Sequence, residues 1–271
     1  MSAQDTALDG ARDEAGSPPV LAIDGPRATI RLNRPRHLNR IQPEDLNALL
    51  HLFREVEGNP AVKVLVLTGT GRAFSAGFDL GAMADRATRQ EAKGPGTMFE
   101  DVANRLENLG LPTICRLNGG VYGGSTDLAL ACDFRIGVDT CEMIMPAARI
   151  GLHYYTGGLR RYVSRLGVNA AKKLFLTAQR IDAAEMLRIG YLTAAVPAER
   201  LDAEVDALAD ILAANAPAAV AGMKRAINDI ARDAFDEAAA DLRHRDSMRG
   251  PEIGEGIKAY KEKRPPRFGG R

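Results

Sequence analysis

An α/β core followed by a helical C-terminal region is the architecture this sequence predicts, and three observations carry the prediction. The run VKVLVLTG (62–69) is nearly all apolar and β-branched, as a strand covered on both faces must be. The order strand, glycine turn, helix, strand recurs along the first half of the chain. From about residue 157 the apolar residues take up helical spacing.

Taken in order, ATIRLN (28–33) alternates apolar and polar residues and reads as a strand. PEDLNALLHLFREVEG (43–58) reads as a helix. Pro43 suits its first turn, Glu44 and Asp45 its positive end and Gly58 its stop, with Leu46, Leu49, Leu50 and Phe53 forming the apolar face. After strand 62–69 comes a glycine-bearing turn, then a helix over 98–109 and a second buried strand, TICRL (113–117). A second glycine turn leads into a short helix over 125–131 and a third strand, DFRIGV (133–138). LDAEVDALADILA (201–213) places Leu201, Val205, Leu208 and Leu212 on one helix face, and PAAVAGMKRAINDIA (217–231) does so with Val220, Met223, Ile227 and Ile230. The expected division is a disordered tail over 1–19, an α/β core over 20–200 and a helical region over 201–271. Residues 85–99 read as a surface loop, with a flap over a pocket as the alternative.

Composition narrows the function classes. With 271 residues, 45% hydrophobic and 26% charged, the chain falls among ordinary soluble globular proteins. A net charge of +1 gives no reason to expect nucleic acid or an acidic membrane as partner. The end is different: residues 258–271 hold six cations against one acid, a net +5, read either as a solvated tail or as a seat for an anion. Cys115, Cys132 and Cys141 are odd in number, lie in apolar surroundings and read as buried free thiols. No metal-ligand spacing is present, and the polar, acidic N-terminus MSAQDTALDGARDEAGSPP is neither a signal peptide nor an anchor, so a cytoplasmic protein is expected.

The two glycine turns, FSAGFDL (74–80) and NGGVYGGSTDL (118–128), are where chemistry is expected. A helix start has unpartnered N–H groups and partial positive charge, and glycine lets a ligand approach the backbone closely. A tight turn with no ligand is the ordinary reading of one such glycine pair. Two turns, each following a buried strand, could instead direct one N–H apiece at a single carbonyl oxygen, making a two-donor oxyanion hole.

At this point VLVLTGTGRAFSAGFDLGAM (64–83), LNGGVYGGSTDLALACDFRIG (117–137) and EGIKAYKEKRPPRF (255–268), in that order, resemble the crotonase family of enoyl-CoA hydratases and isomerases. The resemblance implies a crotonase-like spiral of β-β-α units with a helical C-terminal trimerisation region, and a homotrimer or a dimer of trimers. It implies an acyl-CoA thioester as ligand, coenzyme A being part of the substrate and no separate cofactor being needed. The carbonyl oxygen would rest between the amides of Phe78 and Gly124. Coenzyme A would be bound by the loop RPRHLNRI (34–41) through Arg36, Leu38 and Arg40, the last replacing a more usual small residue. Ala76, Asp79 and Leu80 would add substrate contacts. Tyr260 and Lys263 of the basic C-terminal segment, often from a neighbouring subunit, would add more.

The family's hydratases use two glutamates. At the first position this chain has Asp127, which as an acid in a helix's first turn has an ordinary dipole-stabilising reading beside the catalytic one. At the second, after Pro146, stands Ala147, which carries no proton. A positioned acid or base contributes about 10²–10⁴-fold, so the pattern fits neither the two-carboxylate hydratases nor the isomerases that keep the second carboxylate. Three readings stay open. Asp127 acts with a substitute from His153, Tyr154 and Tyr155; the site runs other enolate chemistry, such as isomerisation, decarboxylation or thioester hydrolysis; or the chain binds acyl-CoA without chemistry.

Overall fold

Six strands form the larger sheet, and five of them run parallel. The computed structural model describes residues 16–81 and 95–270. Strand β1 (Ser17–Asp24) pairs antiparallel with β2 (Arg27–Asn33). β2 then pairs parallel with β3 (Val64–Gly69), β3 with β5 (Thr113–Leu117), β5 with β7 (Phe134–Val138), and β7 with β10 (Ala194–Val196). Every residue of β3 is buried, as its uninterrupted apolar run requires. Ser17–Pro19, expected in the disordered tail, instead open β1. The pairing with β2 supplies backbone partners that composition alone does not reveal.

A second, smaller sheet was not legible in the sequence. It consists of β4 (Ala73–Ser75), β6 (Gly120–Tyr122), β8 (Glu142–Ile144) and β9 (Ile181–Asp182), in that order. β4 and β6 fall inside the two segments read as glycine turns. Strands of three residues are too short to show a period, so only their pairing defines them. Each strand of the large sheet from β3 to β7 is thus followed by a short strand of the small one and then by a helix. Those helices are α2 (Pro95–Glu107), α3 (Gly124–Ala131) and α4 (Thr156–Thr177). The result is a mixed α/β fold built of repeated β-β-α units, the arrangement that the resemblance implied. Of the segment 85–99 only its last five residues are described, and they open α2.

Helix α1 (Pro43–Gly58) runs between the limits its sequence signals set, burying Leu46, Leu49, Phe53 and Val56. Asp45 does more than favour the helix N-terminus. It accepts a bond from the Gln42 amide at 2.9 Å and grips Arg34 Nε and Nη2 at 2.9 and 3.0 Å, tying the loop 34–41 to the helix.

After the short helix α5 (Ala183–Arg188), the C-terminal region comprises α6 (Leu201–Ala214), α7 (Pro217–Ala231), α8 (Glu237–Ser247) and α9 (Pro251–Glu262). Leu201 and Val205 of α6 are buried against the core, with Leu208 and Leu212 partly so. α7 differs. Its expected apolar face stays open, with Met223, Ile227 and Ile230 at 59%, 64% and 61% exposure, because α7 turns away from α6 by 106°. Among the described residues no single helix is long and apolar enough to cross a membrane.

Candidate active site

The site is assembled where the ends of β4 and β6 bring the two glycine turns together. Gly77 has φ +89°, and a Cβ placed on it would lie 2.5 Å from the Tyr122 carbonyl oxygen and 3.2 Å from the Gly124 nitrogen. Only glycine allows that approach. Gly123, at φ +55° and ψ −133°, turns the chain into α3, so that Gly124 is the helix's first residue. Two serines stitch the turns together. The Gly77 amide donates to Ser75 Oγ at 3.1 Å, and Ser125 Oγ lies 3.0 Å from the Ser75 carbonyl.

The loop 34–41 is laced to the same place. The Ala76 amide donates to the Leu38 carbonyl at 2.7 Å, Ile41 to Gly77 at 2.8 Å and Asp79 to Ile41 at 2.9 Å. Asn39, in a left-handed conformation at φ +54°, donates to the carbonyls of Thr70 and Ala73. These bonds use the amides of 76, 77 and 79 and pass over that of Phe78. Among the described residues neither the Phe78 nor the Gly124 amide donates to another residue.

Both residues face a cavity of about 310 Å³. Its wall is largely apolar, with Phe99, Met145 and Ala147 prominent, and the ring of Phe99 covers Gly124 so closely that a Cβ there would sit 3.1 Å away. Ala76, Leu80, His153, Tyr154 and Tyr155 also line it. Ala147 is buried and presents a methyl group where the second carboxylate of a hydratase would be expected. A hollow of about 560 Å³ between α7, α8 and α9 is larger, but it shares no lining residue with the glycine turns.

Asp127 lies one helical turn into α3 and is fully buried, and it is not among the residues lining the cavity. Its Oδ2 accepts from Arg161 Nη1 at 2.5 Å and from the Tyr155 hydroxyl at 2.5 Å, while Oδ1 is buried with no partner among the described residues. Arg161 is equally buried. Its Nε donates to Glu107 Oε1 at 3.1 Å and its Nη2 to Asn104 Oδ1 at 2.8 Å. Arg165 Nη2 adds a bond to Glu107 at 3.0 Å. Burial pulls the Arg161 guanidinium down, but Asp127 and Glu107 outweigh it and hold the group above its ordinary value. Burial likewise pushes Glu107 up, and Arg161 and Arg165 more than reverse it. The Tyr155 hydroxyl stands well above its ordinary value, first because it is desolvated and then because Asp127 is negative, so it is protonated at neutral pH.

The other expected residues are distributed unevenly. Tyr154 stacks on Tyr155 with ring centres 4.2 Å apart and donates to its hydroxyl at 3.1 Å. His153 is exposed at the cavity wall. Its Nδ1 lies 2.9 Å from the Tyr154 carbonyl, an acceptor only, so the neutral ring carries its proton there and leaves Nε2 as the basic nitrogen. Arg40 forms an ion pair with Asp79 at 3.2 Å beside the turn, and Arg36 is exposed on the same loop. Tyr260 and Lys263, at the end of α9, line no part of the cavity within one chain, and Tyr260 is 86% exposed. Arg161, Glu107 and Phe99 were missed as site residues. Arg161 left a signal, since it is a charged residue on the helix face that buries Gly158 and Tyr162.

Comparison with known proteins agrees with this architecture. The family model described as enoyl-CoA hydratase/isomerase matches residues 26–271. A short-chain-enoyl-CoA hydratase of Clostridium acetobutylicum is 34% identical over 210 residues, covering 77% of this chain and 80% of the relative. A crotonyl-CoA hydratase of Syntrophomonas wolfei is 31% identical over 81% of this chain and 84% of its own length. The crystal structure of a putative enoyl-CoA hydratase/isomerase family protein from Hyphomonas neptunium superposes with a TM-score of 0.89 at 27% identity, covering 96% of this chain and all of the other.

Proposed function

The chain belongs to the enoyl-CoA hydratase/isomerase (crotonase) family of enzymes, and from that premise we propose that it forms and discharges the enolate of an acyl-CoA thioester. The amides of Phe78 and Gly124 receive the thioester oxygen in this reading. The observation that supports it is the close approach of Gly77 to Gly124, with Phe78 and Gly124 both lining one apolar cavity and neither amide donating to another described residue. In such a dry site each donor contributes about 2.7–4 kcal/mol to the transition state. Ala76, Asp79 and Leu80 flank the thioester, and Arg36, Leu38 and Arg40 lie along the path of coenzyme A, whose phosphates suit arginine.

Hydration or isomerisation of an enoyl-CoA is the overall reaction we assign. The second of the two carboxylate positions holds Ala147, and His153, at the wall of the same cavity, offers Nε2 as a basic atom to activate water. A second reading, acyl-CoA binding without turnover, is favoured by the burial of Asp127 together with Ala147. A panel of acyl-CoA thioesters in D₂O, with products identified by mass, separates them. Deuterium at the α-carbon or a gain of water is expected. Tight binding with neither would establish the binding protein, and release of free coenzyme A alone would indicate a thioester hydrolase.

Met223, Ile227 and Ile230, with Leu242 of α8 and Met248 just beyond it, present apolar surface that is exposed among the described residues. We assign it to contacts between copies in a homotrimer or a dimer of trimers, an assembly that would bring Tyr260 and Lys263 to a neighbour's site. Light scattering should return three or six times the chain mass. A monomer would end this assignment. Three buried free thiols fit a reducing compartment, and the cytoplasm is the location we propose.

A further inference from the structure

We infer that the hydroxyl of Tyr155 is the group that meets the substrate α-carbon, and that Asp127 serves as the proton's destination behind it. This rests on the acyl-CoA reading above. Asp127 is fully buried and lines no part of the cavity, whereas Tyr155, whose hydroxyl donates to it, does. Tyr155 lines the cavity, and its position is over-determined. Its ring stacks on Tyr154 and leans against Phe99 at 6.4 Å, and Phe99 in turn covers Gly124. Phe99 thus packs against both Tyr155 and Gly124.

The hydrogen bonds already have the direction a relay needs. The hydroxyl proton points to Asp127 Oδ2, at 2.5 Å, and its oxygen, which accepts from the Tyr154 hydroxyl at 3.1 Å, keeps a second lone pair for an incoming proton. On enolisation the α C–H bond breaks and its proton bonds to Tyr155 Oη. The tyrosine's own proton passes to Asp127 Oδ2, and the C–H electron pair moves into the enolate held by the two amides. The reverse sequence protonates the enolate. Charge is conserved, one negative charge leaving Asp127 as one appears on the thioester oxygen. Tyr155 never becomes a tyrosinate beside a carboxylate, the state that burial and Asp127 together disfavour. Arg161 keeps its pair with Glu107 when Asp127 takes the proton, which makes it a positioning residue.

The test follows α-deuterium uptake by butyryl-CoA in D₂O, with butyryl-CoA binding measured in parallel by calorimetry. Wild-type exchange should not climb tenfold per pH unit between about pH 6 and 9, because the buried Tyr155 hydroxyl stays protonated and no tyrosinate builds up. Tyr155→Phe, which keeps the ring, should bind normally and lose about 10²–10⁴-fold in exchange. Asp127→Asn should lose as much although residue 127 lines no part of the cavity, since an amide accepts the hydrogen bond but not the proton. Exchange by Tyr155→Phe at the wild-type rate would overturn the inference and leave the acyl-CoA reading intact. A wild-type rate climbing about tenfold per pH unit would do the same, showing a tyrosinate acting alone. Failure of wild type to bind butyryl-CoA, or any thioester of the panel, would remove the reading and the inference together.

Discussion

Gly77→Ala is expected to lower turnover of the preferred acyl-CoA by about 10²–10³-fold. The methyl group would sit 2.5 Å from the Tyr122 carbonyl oxygen and 3.2 Å from the Gly124 nitrogen, both backbone atoms with no freedom to step aside. Its φ of +89° adds strain for any L side chain. The two turns must therefore separate, and the distance between the Phe78 and Gly124 amides grows by a good fraction of an ångström. Hydrogen bonds to a developing oxyanion weaken steeply over that range, and a misplacement of about 1 Å costs roughly 10²-fold. Gly190→Ala provides the comparison, since Gly190 has φ +77° but nothing within 4 Å of a new Cβ. It should lose about 1–2 kcal/mol of stability and no activity. A folded Gly77→Ala protein with wild-type turnover would show that the spacing of the turns is irrelevant to the reaction.

The largest effect on stability is expected at Arg161. Replacing it by methionine leaves Asp127 buried with one neutral partner and removes one of the two cations closest to Glu107. Breaking a buried pair by deleting one partner costs about 3–5 kcal/mol, because the remaining charge stays desolvated and uncompensated. Urea unfolding of Arg161→Met against wild type measures this directly. The double variant Asp127→Asn, Arg161→Met should recover more than half of the loss, since removing both charges also removes the desolvation penalty. A single-variant loss below about 1 kcal/mol would place the pair in the class of weak surface bridges, against its burial.

The glycine turns, the helix 43–58 and the apolar strands were legible because each is specified locally. Pro43, the acids behind it and Gly58 mark helix ends by their own backbone chemistry, and the run from Val64 to Gly69 needs no partner to show that it is buried. The small sheet was not legible, since three residues show no period and exist as strands only through pairing with segments some twenty to fifty residues away. The face of Met223, Ile227 and Ile230 was legible as apolar but not as uncovered. Periodicity says which residues share a side of a helix, and packing decides what that side meets.

Asp127 divides the two levels most sharply. The sequence by itself determined that an acid stands one turn into a glycine-started helix and that alanine stands at 147, so the two carboxylates of the family's hydratases are not both available. Only the tertiary structure decided what that acid can do. It is fully buried, bonded to Tyr155 and paired with Arg161, a residue 34 positions along the chain that reaches it from another helix. What a buried carboxylate can do depends on what surrounds it in three dimensions, and no local pattern records the partners that fold against it.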